Sequence, residues 1–171
     1  MEEEKITLEA YRHNAMQRNL CKEFVELWGQ CTTSQEMIDL CLSAKGIDYT
    51  CNAISQGWGI SSEEIYRKFR SYINGNYISN NYKAYTSEMY CNYIGKFIAR
   101  TTAIVIIDSN VIIQIPEFIG ILKIYCVGKC NIKLDGKASC IIVTYGNTDN
   151  ININEGKCGV KYINKTNDEQ L

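Results

Sequence analysis

The period of the hydrophobic positions changes near residue 100. Before that point apolar residues recur at intervals of three and four, which is typical of amphipathic helices, and the longest such run extends from Ile6 to about Gly29. After Arg100 the period falls to two, in short β-branched runs separated by Asp, Asn, Gly and Lys. The pattern predicts an α+β protein with a helical domain over residues 1–100 and a β-rich domain over residues 101–171.

Two capping boxes mark helix starts in the first half. Thr33 is followed three residues later by Glu36, and Ser61 by Glu64, which is the spacing at which the two side chains satisfy free backbone N–H groups reciprocally. The first of these helices is expected to end at Gly46, since glycine commonly closes a helix.

A tyrosine-rich segment follows over residues 76–96, and the stretch over residues 82–98 can be drawn as one more helix. On that helix Tyr82, Tyr85 and Tyr93 are candidates for a protein interface, because tyrosine is enriched among the residues that dominate binding. They could equally stack on single-stranded nucleic acid. The alternative is a packing role, with the rings against the β-half and the hydroxyls at its rim.

Glycines recur every eight to ten residues in the second half, which predicts one short strand and one turn at a time. An antiparallel sheet would use Asp135–Gly136 as a hairpin turn. A small β-solenoid, which the short and equal runs favour, would stack them as parallel rungs with Pro116 at a corner. Its inward residues would be Ile104, Ile106, Val111, Ile113, Ile115, Leu122, Ile124, Cys126, Ile132, Leu134, Ile142, Ile151 and Ile153.

Residues 51–70 combine the end of one helix, a glycine turn and a second, capped helix. The segment resembles the helix-turn-helix pattern at Ile54, Gly59, Ile60, Ile65 and Phe69. In that motif the second helix lies in the major groove of DNA and its early residues meet base edges.

The resemblance implies a set of outward-facing side chains that would contact nucleic acid. They are Ser62, Tyr66, Arg67, Lys68 and Arg70. The three basic residues would bind phosphates or guanine edges. The alternative is an ordinary capped helix in a bundle, in which Glu63 and Glu64 stabilise the helix start and repel phosphates.

The charge balance gives no general sign of polyanion binding. The formal net charge is −1, with 18 Lys and Arg against 19 Asp and Glu. Residues 1–100 carry 11 against 12, and residues 101–171 carry 7 against 7. Any basic surface must therefore be local.

The remaining composition argues against several other classes of protein. The nine cysteines lack paired zinc spacings, and the acidic N-terminus does not resemble a secretion signal, so we expect reduced cysteines, no metal and a cytoplasmic location. No apolar run has the length of a membrane span. A single histidine, His13, and the absence of a phosphate-binding loop predict no cofactor and no enzymatic activity.

These observations support two functional hypotheses. The first is a non-enzymatic DNA-binding adaptor or regulator, a homodimer whose paired helices read half-sites while the β-half mediates self-association or partner contact. The second is an accessory protein of a phage or mobile element that binds another protein. Examples would be an anti-CRISPR-type inhibitor of a host defence nuclease, or an assembly factor.

Overall fold

The computed structural model describes residue 13 and residues 22–57, 60–82 and 85–165, with only the backbone at residues 22–25, 81, 82 and 85. Four helices come first: α1 Lys22–Gln30, α2 Ser34–Cys41, α3 Ala44–Gln56 and α4 Ser62–Lys68, which a 3-10 turn at Arg70–Tyr72 follows. The strands are β1 Ser79–Tyr82, β2 Tyr85–Cys91, β3 Ile94–Ile98, β4 Ala103–Ile107, β5 Asn110–Gln114, β6 Ile121–Val127, β7 Cys130–Asp135, β8 Ser139–Tyr145, β9 Ile151–Asn154 and β10 Gly159–Lys165. The coarse prediction of helices followed by a β-rich region is confirmed.

The strands form a β-solenoid. Sheet A has the order β1-β2-β4-β6-β8-β10 and sheet B the order β3-β5-β7-β9, so each turn of the chain adds one strand to each sheet. Neighbouring strands are parallel except β1 and β2, which are antiparallel. The solenoid prediction is confirmed, and the alternative hairpin at Asp135–Gly136 is wrong because β7 runs parallel to its neighbours.

The solenoid interior is a column of stacked aliphatic side chains. Ile104, Ile124 and Ile142 occupy matching register positions on three successive rungs, and each is fully buried. Every residue predicted to point inward belongs to this core or packs against it. Parallel strands let identical positions stack at each rung, so a period-two pattern was sufficient to assign the faces.

The helices pack on the outer face of sheet A. Trp28, Ile47 and Ile65 from three helices share one buried cluster with Val105 and Tyr145 of the sheet. Strands of sheet A are therefore apolar on both faces, as β4 shows with five consecutive buried residues. Sheet B has no such cover in the described part of the chain, and its outer face carries polar side chains, including an asparagine pair in which Asn152 donates to Asn131 at 3.1 Å.

In the helical half, local sequence patterns predicted two helix starts correctly and one helix end wrongly. Both predicted capping boxes, at Thr33 and Ser61, are present. The end predicted at Gly46 is wrong, because α2 stops at Cys41 and Gly46 lies in the first turn of α3. The Ser43 hydroxyl accepts a hydrogen bond from the Gly46 N–H at 3.0 Å, so Ser43 starts a new helix where the glycine pattern indicated a stop.

The helix drawn over residues 82–98 is wrong, because this segment contains the end of β1 and the whole of β2 and β3. Residues 85–91 add the first strand of the parallel ladder, with Ser87 opposite Ala103. Tyrosine and threonine favour strands, and Tyr90 packs in the solenoid interior. The strands thus begin well before the predicted domain boundary at residue 100.

An ion pair between a buried carboxylate and a partly exposed guanidinium lies at this first rung. The Glu88 carboxylate is fully buried and accepts hydrogen bonds from the Arg100 guanidinium at 2.7 Å and the Tyr90 hydroxyl at 3.3 Å. Arg100 also donates to the Gly75 carbonyl at 3.1 Å. The hydrogen bond to Glu88 raises the pKa of Arg100. These contacts link the first rung to the segment that enters it.

Candidate functional site

The five side chains predicted to contact nucleic acid differ in exposure. Arg67, Lys68 and Arg70 are exposed at the C-terminal end of α4, as predicted. Ser62 and Tyr66 are half-buried, and Tyr66 packs against the core beneath the helices. The Arg70 guanidinium lies 5.2 Å from the centre of the Tyr66 ring, a cation–π distance.

The first turn of α4 faces the solenoid. Ser61 and Ser62 line a cavity of about 350 Å³ together with Asp108, Gly128 and Asn147 from the turns at the C-terminal ends of sheet A. A recognition helix would present this same first turn to base edges. The helix-turn-helix arrangement is therefore not confirmed, and its predicted turn glycine, Gly59, lies outside the described residues.

Of the three tyrosines predicted as partner anchors, Tyr82 and Tyr85 lie near the start of β2 and Tyr93 lies beyond its end. The backbones of Tyr82 and Tyr85 pair where β1 meets β2, and their side chains lie outside the description. Tyr93 follows the far end of β2, a strand that advances about 3.3 Å per residue. Its half-buried ring lies 5.3 Å from that of Tyr90, so Tyr93 has a packing role.

A groove that the sequence analysis did not identify lies where the strands of sheet B end. It has a volume of about 850 Å³, and its apolar lining residues are the 56% exposed Ile98, the half-buried Pro116, and Ile115 and Leu134, which are buried in the solenoid core. Two glycines let successive rungs approach closely here: a Cβ on Gly136 would lie 2.7 Å from the Ile115 carbonyl oxygen, and one on Gly156 2.5 Å from that of Leu134. Backbone stacking therefore forms the wall of the groove.

Lysines dominate the charge of this groove, which we call the lysine groove. Its lining includes the exposed residues Lys133, Lys137 and Lys157. Two carboxylates, Glu117 and Asp135, also line it. Asp135 lies 3.9 Å from the ammonium group of Lys96, which stands outside the lining, so the groove retains an excess of positive charge.

The solenoid as a whole is basic. Residues 85–165 carry nine Lys and Arg against six Asp and Glu, a net charge of +3, although the whole chain has −1. Charge counts on either side of residue 100 do not show this difference. They assign the first rung to the helical half, and they assign the acidic last six residues to the solenoid.

The sequence contains a repeat from which the groove could have been predicted. Asp135-Gly136-Lys137 and Glu155-Gly156-Lys157 repeat the pattern acidic–Gly–Lys at an interval of 20 residues. This interval is the rung spacing between β8 and β10, where Ser139 pairs with Gly159. With the rung length known, the repeat would have placed Lys137 and Lys157 one above the other.

Six of the eight described cysteines are buried, as small apolar residues are. Burial raises the pKa of Cys31 and Cys41 to about 11 and that of Cys91 and Cys140 to about 12. These four thiols therefore stay protonated at neutral pH, and thiolate is the form that binds metals and attacks electrophiles. Among the described residues no three His, Cys, Asp or Glu side chains come together as metal ligands would.

Within the same part of the chain, no helix has both the length and the apolar character needed to cross a bilayer. Comparison of the chain with models of known protein families, with curated proteins and with solved structures finds no match, so the geometry of these surfaces is the basis for a functional assignment.

Proposed function

We propose that this chain is a non-enzymatic adaptor that binds an extended, acidic segment of another protein in the lysine groove. The observation that carries the proposal is that Lys133 and Lys137 from one rung and Lys157 from the next line a single groove beside the exposed side chain of Ile98. By binding a segment of a partner protein in this way, the chain would act as an inhibitor or as an assembly factor.

Exposed apolar side chains beside the groove support a protein partner. Ile98 lines the groove and is 56% exposed. Phe118 is 82% exposed in the turn that Pro116 and Ile119 close with a 3.0 Å backbone hydrogen bond, and it directly follows the lining residue Glu117. Large exposed apolar side chains rimmed by charges are typical of protein-binding surfaces.

The groove favours a peptide over nucleic acid. Its lining contains no aromatic ring on which a base could stack. A partner with alternating acidic and apolar side chains would meet the lysines and the exposed Ile98 side chain together. Such electrostatic pairing raises the association rate and is weakened by salt.

A labelled peptide that alternates Glu with Val tests the proposal by fluorescence anisotropy. We expect measurable binding to the full chain, and weaker binding by about tenfold or more when Lys137 and Lys157 are both changed to Glu. Lys129→Glu is the matched control, because Lys129 is exposed but does not line the groove. Equal loss in the control, or no preference for the Glu peptide over its Lys counterpart, would overturn the proposal.

Nucleic-acid contact through α4 is the second candidate function. It is favoured by the exposure of Arg67, Lys68 and Arg70 within about one helical turn. A gel shift on random duplex at low salt should then weaken steeply as salt rises, and should diminish for the Arg67→Ala/Arg70→Ala variant. Absence of a shift at low salt would contradict this function and leave the adaptor proposal intact.

A further inference from the structure

The two ends of sheet A differ in how they are covered. At the first rung β1 pairs with the outer edge of β2. At the last rung β10 has β8 as its one neighbour in the described chain. Interior-facing side chains are consequently uncovered: Tyr162 is 50% exposed, whereas Ile142, which occupies the same register position one rung earlier, is fully buried.

The hydrogen-bonding groups on the open edge of β10 can be assigned. The Gly159 N–H donates to the Ala138 carbonyl, and the Lys165 carbonyl accepts from the Gly146 N–H, so both residues face the β8 side. Backbone groups alternate sides along a parallel strand. Val160, Tyr162 and Asn164 therefore direct their N–H and C=O groups at the open edge, where nothing described in the chain pairs with them.

We propose that the occupant of this edge is a second copy of the chain, paired β10 to β10 in antiparallel orientation about a two-fold axis at Tyr162. Tyr162 would then face Tyr162 of the second copy, and Val160 would face Asn164 on either side. Each such pair exchanges two hydrogen bonds, so the contact contains about six. Sheet A continues through both copies.

The lysines of β10 select this register. With Tyr162 opposite itself, Lys161 faces Ile163 across the interface. A shift of two residues in one direction would set Lys161 opposite Lys161, and in the other direction opposite Lys165, and like charges at directly opposed positions are destabilising. Lys165 is in any case engaged within its own chain, where it donates to the Asp48 carboxylate at 2.8 Å.

A two-fold contact also explains why an open strand is tolerated. An unpaired edge is a template for continued association, and natural sheets protect such edges. Because an isologous contact uses the same edge of both copies, it closes at two chains. The contact is separate from the lysine groove, since no residue of β10 lines that groove.

The oligomeric mass of the full chain, measured by sedimentation equilibrium up to about 100 µM, tests this inference. We expect a dimer for the native chain and for Tyr162→Phe, and a monomer for Tyr162→Pro. Proline removes an N–H that the ladder to β8 does not use, so this variant keeps its fold, which circular dichroism checks.

A charge pair tests the register independently of folding. Ile163→Lys should weaken the dimer about three- to tenfold, because each introduced ammonium group would face Lys161 of the other copy. The double variant Lys161→Glu/Ile163→Lys should recover the dimer, since the introduced carboxylate then faces the introduced ammonium group. A monomeric native chain, or a double variant no tighter than Ile163→Lys, would overturn the inference, and neither result bears on peptide binding in the groove.

Discussion

At the residue scale, the stability of the first rung depends on a buried carboxylate. Glu88 is fully buried, and Arg100 is its charged partner at 2.7 Å. The sequence could not identify this pair, because the two residues are 12 apart and Glu88 fell within the segment drawn as a helix. A period-two reading of residues 85–91 would have placed Glu88 inside the solenoid, which would have been unfavourable without a partner.

Removal of Arg100 should therefore be costly. We expect Arg100→Ala to lower the free energy of unfolding by about 3 kcal/mol, because it leaves the Glu88 charge buried without a cation. The double variant Glu88→Gln/Arg100→Ala should be less destabilised than Arg100→Ala. Urea titration measures both, and a cost for Arg100→Ala within about 0.5 kcal/mol of zero would contradict the role assigned to the pair.

A second residue-scale prediction concerns Tyr77, whose hydroxyl donates to the buried Asp39 carboxylate at 2.8 Å. Burial, followed by this hydrogen bond, raises the pKa of Tyr77 from 10.0 to about 12. The folded state thus holds the phenolic proton more tightly, so the contribution to stability is complete below pH 10 and is lost as pH rises through about 12. The melting temperature of the native chain should fall more between pH 9 and pH 12 than that of Tyr77→Phe, and parallel falls would contradict this.

At the element scale, the corner between sheets A and B requires a left-handed residue on every rung. Asn92, Asp108, Gly128 and Gly146 occupy it with φ of 48°, 43°, 77° and 72°. These positions follow the last residues of β2, β4, β6 and β8. Asp and Gly predicted turns at the last three of these sites, whereas Asn92 fell within the segment drawn as a helix.

Gly128 should tolerate no side chain. A Cβ there would lie 2.2 Å from the Asp108 carboxylate oxygen, which accepts the Lys129 N–H at 2.8 Å. We expect Gly128→Ala to cost about 2 kcal/mol, through the positive φ and the displaced Asp108. Gly120→Ala is the matched control, since nothing lies within 4 Å of its added Cβ and its φ is not positive. Equal melting temperatures for the two variants would contradict the explanation.

Other elements show where sequence patterns are insufficient. The helix starts at Thr33 and Ser61 depend on contacts three residues apart, so local spacing predicted them. The β2–β4 pair and the lysine groove depend on contacts between rungs, 16 to 20 residues apart in the pairing of Ser87 with Ala103 and of Ser139 with Gly159. Periodicity within a single run carries no information about such distances, so it could not predict that the groove lysines lie together.

At the scale of the whole molecule, the helices and the solenoid share one core. Trp28 of α1 belongs to the same buried cluster as Val105, Tyr125 and Val143 of sheet A. The division into two domains at residue 100 stays a prediction. The shared core allows it to be tested by unfolding. Two independent domains would unfold separately, whereas one packed unit unfolds in a single transition.

We expect a single transition in urea. Tryptophan fluorescence, which reports on the helical half through Trp28, and far-ultraviolet circular dichroism, which reports mainly on the strands, should give the same midpoint. Arg100→Ala should shift both midpoints together. Midpoints that differ, or a variant that moves one signal alone, would show that the two halves are separate.

The central claim is that the lysine groove is where this chain binds its partner, and the site of contact can be mapped directly. An acidic peptide that alternates Glu with Val and carries a photoactivatable cross-linker should be irradiated with the full chain, and the adducts located by mass spectrometry. The account predicts adducts on the segments that line the groove, residues 114–117, 133–137 and 156–157. Adducts confined to the basic end of α4 at residues 67–70, or to β10, would contradict it.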